Sequence, residues 1–182
     1  MFLPRSLFSR LALAALLAAT AFAAGLYFGQ TASPPLPREA PPAAVAQLLQ
    51  LQLPDMEGHP QALSQWQGKV RVINFWATWC PPCREEMPEF SRLQTDLGPQ
   101  GVQFVGIAVD GADSVRDFSR QTPVSYPLLL ATPEAVANLK ALGNSLGGLP
   151  FTLVVDRQGR ARHIRLGGLD GNELAAIIKG LL

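Results

Sequence analysis

Apolar positions change their spacing several times along the second half of the chain, and each change marks an element. "VRVINFWA" (Val70 to Ala77) is a nearly continuous apolar run, which predicts a strand buried on both faces, and "VQFVGIAVD" (Val102 to Asp110) predicts a second. Between them Met87, Phe90, Leu93 and Leu97 recur at spacings of three and four, while Arg84, Glu85, Glu89, Arg92 and Asp96 fall elsewhere. That period is an amphipathic helix ending at Gly98, so the three segments form a β-α-β unit.

The pattern continues on both sides. Asp113 opens a helix with Val115 and Phe118 on its apolar side, stopped by Pro123, and "YPLLLA" reads as a third core strand. Thr132 and Pro133 start a helix running to Leu142. After the glycine-rich "GNSLGG", the strands "FTLVVD" and "RARHIRL" flank a turn at Asp156 to Gly159 and form a hairpin. Asp170 and Glu173 make a capping box for a last helix, Asn172 to Leu182. Upstream, "LLQLQLPDMEGHPQAL" alternates around a turn signal at Asp55 to Gly58, predicting two short paired strands, with Ser64 capping a single helical turn before Gly68. The elements predict an α/β fold with a central mixed sheet flanked by helices and an N-terminal β-hairpin extension.

The amino terminus follows other rules. Arg5 and Arg10 precede an uncharged apolar run from Leu11 to Phe28, about long enough to cross a bilayer as a helix. It reads as a signal anchor or as a signal peptide cut after Ala21-Phe22-Ala23; the run extends past that site, which favours the anchor. Either way the arginines stay on the cytoplasmic side and the rest of the chain is exported. From Gln30 to Ala44 five prolines make a semi-rigid spacer. The expected division is residues 1–29 as signal segment, 30–44 as linker and 45–182 as the folded domain.

Composition narrows the functional classes. A net charge of +1, from 15 basic and 14 acidic residues, leaves no basic stripe for nucleic acid. The hydrophobic share of 48% supports a proper core.

The candidate chemistry is the cysteine pair. Both cysteines, Cys80 and Cys83, stand in "WCPPC" where the first strand gives way to the helix. A thiolate at Cys80 is favoured there by unpaired N–H groups and the positive end of the helix dipole. Pro81 and Pro82 suit a first turn, whose N–H groups have no helical partner. Cys83 lies one turn deeper. Lowering a thiol pKa from about 8.5 to about 7 raises the thiolate fraction roughly fifteen-fold but cuts nucleophilicity about five-fold. Exposure of one sulfur, with the second thiol beside it, therefore matters more. Three other readings stand against a redox pair. A structural disulfide closing so short a loop contributes only about 2 kcal/mol. A soft-metal site could use Cys80, Cys83 and Met87, although His59 and His163 show no ligand spacing. Accidental spacing is the third.

"NFWATWCPPC", with Pro88 in the helix and "GGLPFTLVVD" later, resembles the TlpA and ResA type of thioredoxin-like proteins, membrane-tethered periplasmic thiol-disulfide reductases. The resemblance spans about Leu51 to Leu182 and implies a thioredoxin-like fold, with Cys80 as attacking thiolate and Cys83 as resolving thiol. It implies that Pro150 is a cis-proline facing the cysteines and that Leu149 presents backbone groups to a bound peptide beside Trp79, Pro81 and Pro82. Where thioredoxin has a buried aspartate this chain has Asn74, which cannot take a proton, and the resemblance gives that task to Glu86, three residues after Cys83. Trp76 is expected in the core and Trp79 on the rim. The redox group is the protein's own dithiol, with no added cofactor or metal. The implied partners are disulfide-bearing periplasmic proteins, such as apocytochrome c or copper-assembly proteins, and a membrane electron donor of DsbD or CcdA type. The alternatives are a Cu(I) carrier and a disulfide oxidase of DsbA type, although only 66 residues between Cys83 and Pro150 leave little room for that enzyme's helical insertion.

Overall fold

The chain enters its fold earlier than the sequence pattern suggests. In the computed structural model, which describes residues 40–182, helix α1 (Pro42–Leu49) buries Ala44, Val45, Leu48 and Leu49. Residues 40–44, assigned to the linker above, thus belong to the domain. Two prolines there fit a helix start as well as a spacer, and only the burial of Ala40 and Ala44 distinguishes the two. The apolar run Leu11 to Phe28 and the spacer up to residue 39 lie outside the described residues. Among the described residues no helix is long and apolar enough to cross a membrane.

The expected hairpin follows, β1 (Gln52–Pro54) paired antiparallel with β2 (Pro60–Ala62). Asp55 fastens its turn by accepting from the N–H groups of Glu57 and His59. The single turn after it is a 3-10 helix, Leu63–Trp66, capped by Ala62 and not by Ser64. Ser64 lies within the turn, and its carbonyl closes it by accepting from Gln67 N–H.

The main sheet holds β3 (Val70–Trp76), β4 (Val102–Ala108), β5 (Leu128–Leu130), β6 (Phe151–Val155) and β7 (Ala161–Leu166) in the order β5-β4-β3-β6-β7. The β3–β4 and β4–β5 pairs are parallel, while β6 and β7 run antiparallel to their neighbours, so the sheet is mixed. β3 and β4 are buried along their whole length, as their unbroken apolar runs require.

Alternation along the strands sends side chains into two cores. On one face Val70, Val72, Trp76 and Phe104 pack with α2 (Pro81–Leu97), α3 (Ala112–Gln121) and α5 (Gly171–Lys179). On the other, Ile73, Phe75, Val105 and Ile107 pack with α1, α4 (Pro133–Ala141) and the hairpin. Asp170 caps α5 by accepting from the N–H groups of Asn172 and Glu173. The helix stops at Lys179, short of the expected Leu182. This layering leaves the β3–α2 junction at one end of the sheet, in the middle strand, where the cysteines sit.

Candidate active site

Cys80 is the N-cap of α2, with extended backbone (φ −96°, ψ 103°), and Pro81 and Pro82 occupy the first helical positions. Its carbonyl accepts the first helical bond, from Arg84 N–H at 3.2 Å. Cys80 and Cys83 form a disulfide with Cα atoms 5.3 Å apart. Cys83 is fully buried, as expected, but Cys80 is only 4% exposed, so its sulfur is not the open one anticipated above. The bond to Cys83 draws it against the first helical turn.

Exposure lies instead in the residues around the pair. Trp79 is 66% exposed. Pro81 and Pro82 are exposed. Leu149-Pro150 is a cis peptide, and Pro150 O accepts from Gly167 N–H at 2.9 Å. Gly168 faces Pro82, since a Cβ added to it would stand 4.0 Å from that ring. The loop 167–169 therefore joins the proline segment to the start of α2. Leu149 is half-buried against both cores. A residue missing from the sequence analysis holds the preceding loop: buried Asn144 donates to Gly148 O (2.8 Å) and accepts from Gly148 N–H (2.9 Å). Ahead of Cys80, Thr78 is anchored by its N–H and hydroxyl to the Asp110 carboxylate.

Glu86, one turn after Cys83, is 6% exposed and not a solvated helix charge. Its Oε1 accepts from Asn74 Nδ2 at 2.8 Å, and its Oε2 accepts from Leu169 N–H at 3.0 Å. Asn74 Nδ2 also donates to Thr152 Oγ1 at 3.0 Å. Burial pushes the Glu86 carboxyl up to about 7, against the two hydrogen bonds, which favour the ionised form. Tyr126 is also pushed up, by burial first and the Glu86 charge second. Thr152 and the Leu169 amide carried no signal in the sequence: one is a single polar residue in an apolar strand, the other a backbone group.

The arrangement is a dithiol-disulfide pair at a helix start, with a carboxyl that titrates near neutrality one turn beneath it. The AhpC/TSA family profile matches residues 45–164. The chain belongs to that family. ResA, a thiol-disulfide oxidoreductase of Geobacillus kaustophilus (strain HTA426), is 31% identical over 123 residues, which are 67% of this chain and 68% of the relative. ResA of Bacillus anthracis is 28% identical over 127 residues, 69% and 70% of the two chains. Among solved structures, a thiol:disulfide interchange protein of Chlorobium tepidum TLS superposes with a TM-score of 0.67 at 27% identity, covering 83% of this chain and 99% of that one. A thioredoxin-related protein of Neisseria meningitidis serogroup B gives 0.65 at 36%, covering 71% and 98%. The fold is thioredoxin-like, and the protein is a thiol-disulfide oxidoreductase of the thioredoxin family.

Eight residues were singled out from the sequence. Cys80, Cys83 and Glu86 come together on α2, with Trp79, Pro81 and Pro82 around its start. Leu149 and Pro150 reach the same end through the loop 167–169. Met87, the possible third metal ligand, is fully buried in the core. Among the described residues no three His, Cys, Asp or Glu side chains gather as a metal site.

Proposed function

We propose that the protein reduces disulfides in exported proteins, working from the periplasmic side of the inner membrane. In this reading the Cys80 thiolate attacks a client disulfide, forming a mixed disulfide and releasing one client thiolate. Cys83 then passes its proton to Glu86 and attacks Cys80 Sγ. The second client thiol leaves, and the Cys80–Cys83 bond stores the two electrons' worth of oxidation. Trp79, Pro81, Pro82 and the Leu149 backbone border the client. No further cofactor takes part. A membrane dithiol donor of DsbD or CcdA type restores the reduced pair, which an oxidising compartment requires, and the segment Leu11 to Phe28 keeps the domain beside that donor. Apocytochrome c and copper-assembly proteins are the proposed clients.

The observation that carries this reading is Glu86: a buried carboxyl near pKa 7, one turn from the buried thiol that must lose a proton. A base so poised suits proton transfer at neutral pH. The 66 residues between Cys83 and Pro150 are taken up by the rest of α2, then β4, α3, β5, α4 and their connections, with no further helical insertion, which favours reduction over DsbA-type oxidation.

The test is reduction of insulin by the full chain with dithiothreitol, abolished in Cys80→Ala, together with trapping of clients on Cys80 in Cys83→Ala cells. A reduction potential close to that of DsbA, about −120 mV, instead of thioredoxin's region near −270 mV, assigns oxidation. Tight Cu(I) binding without disulfide exchange assigns a metal carrier.

A further inference from the structure

The second residue of β3 is an arginine inside the sheet. Arg71 shares its face with Ile73 and Phe75, looks toward α1, and is only 3% exposed. Its Nε has no hydrogen-bond partner among the described residues. A guanidinium cannot shed its proton at any ordinary pH, so burial leaves a fixed positive charge that calls for an anion. Asp156, the carboxylate that bears on it electrostatically, is paired with Arg160 at 3.0 Å. Asp156 also accepts from the N–H groups of Gln158 and Arg160.

Arg71 lines a cavity of about 250 Å3 bounded by the end of α1, the turn after β6 and the 3-10 helix. Exposed Arg157 lines it too; one of its nitrogens donates to Gln100 O at 3.2 Å, and its guanidinium carries further donors. Ser64, Gln50, Gln67 and Gln158 supply hydroxyl and amide groups, and no acidic side chain lines the wall. Gly159, with φ +83°, lets the turn close over the arginine: a Cβ there would stand 3.7 Å from Arg71 Nη2. Arg71 stands five residues before Trp76, so the strand rise places the cavity roughly 17 Å from the disulfide end of β3.

We propose that this cavity is a binding site for a phosphate group, held by the paired forks of Arg71 and Arg157 with Ser64 and the glutamines completing its hydrogen bonds. Two guanidinium groups with neutral donors match the several oxygens of a phosphate. The volume leaves room for a small ester substituent, so free phosphate and a phosphomonoester share the chemistry. Such a ligand ties α1 to the β6–β7 turn, and it acts on stability without touching the cysteines.

The test is thermal unfolding of the full chain in non-ionic detergent, with inorganic phosphate replacing chloride at constant ionic strength. Binding to the folded state alone raises the midpoint with a saturable dependence on phosphate. Arg71→Met loses that response, and its midpoint in chloride equals or exceeds the parent's because a buried charge with no carboxylate of its own is gone, Asp156 keeping its pairing with Arg160. Arg157→Gln, an exposed change that spares the core, weakens the apparent phosphate affinity more than about tenfold. Insulin reduction is unchanged in both variants. A response at lower concentration to glycerol 3-phosphate than to phosphate assigns an esterified ligand and the reverse order the free ion; both support the site. No saturable response in the parent overturns the proposal, as does a response that survives both substitutions and so reports general salt effects.

Discussion

Asn74 Nδ2, in the middle of β3, donates to Glu86 Oε1 across 2.8 Å and to Thr152 Oγ1 across 3.0 Å, so one amide connects the helix that carries Cys83 to two strands of the sheet. Its own Oδ1 has no partner among the described residues. The amide cannot take the proton, but it holds the carboxyl to which the proposed mechanism gives that task. Burial raises the Glu86 pKa, and donors from Asn74 and Leu169 hold it back to about 7.

Asn74→Ala removes one of those donors and leaves the burial. The Glu86 midpoint then rises above the parent value of about 7, because the charged form loses a hydrogen bond. Titration of the Glu86 carboxyl carbon by NMR reads this directly. An unchanged or lowered midpoint shows that the amide does not tune the carboxyl.

Glu86→Gln separates thermodynamics from kinetics. An ionised carboxylate near Cys83 raises the thiol pKa by repulsion, yet in the proposed mechanism it accepts the proton and speeds the transfer. The variant should fold, show a lower Cys83 pKa, and release the Cys80 mixed disulfide more slowly at neutral pH, by roughly 10²-fold if the acid-base role is the whole effect. Exposed Glu85→Gln is the control and changes neither quantity. Equal release rates in all three proteins would mean that water carries the proton.

The same carboxyl makes stability depend on pH. The folded state holds a proton on Glu86 up to about 7, whereas the unfolded chain releases it near 4.5. Between those values the folded state binds more protons, so stability is full below the lower value and falls as pH rises through the upper one. The loss is at most about 3 kcal/mol. His163, whose pKa burial lowers, works in the opposite direction as pH rises. Urea unfolding of the oxidised parent and Glu86→Gln between pH 5 and 8 isolates the Glu86 part: the variant's curve should lack the decline.

The sheet, four of the helices and the cysteine junction were legible because each has a distinct apolar period. Helix α1 was not, since two prolines in a proline-rich stretch imitate a linker until burial of Ala44 and Val45 is known. At the site, Cys80 and Cys83 announced themselves by spacing, whereas Glu86 was reached through the family resemblance, its distance of one turn from Cys83 only permitting the role. Its partners were hidden. The Leu169 donor is a backbone group 83 residues away, and Asn144 acts through a loop whose sequence signals only a turn. Arg71 was hidden in the opposite way, as one charged letter inside a strand read for its apolar residues.

Trp79 makes the last case, because it is a large side chain left 66% exposed next to a nearly covered Cys80. With so little of the sulfur open, a protein client of the proposed reductase would first settle on the rim formed by exposed Trp79 and the two prolines beside it. An exposed aromatic at the centre of such a contact contributes about 1–2 kcal/mol to binding. Trp79→Ala should therefore raise KM for a folded disulfide protein roughly tenfold while kcat stays near the parent value. A small disulfide such as oxidised glutathione, too small to cover the rim, should be reduced at nearly the parent rate. If both substrates suffer equally, Trp79 acts on the cysteines themselves and not on the docking of clients.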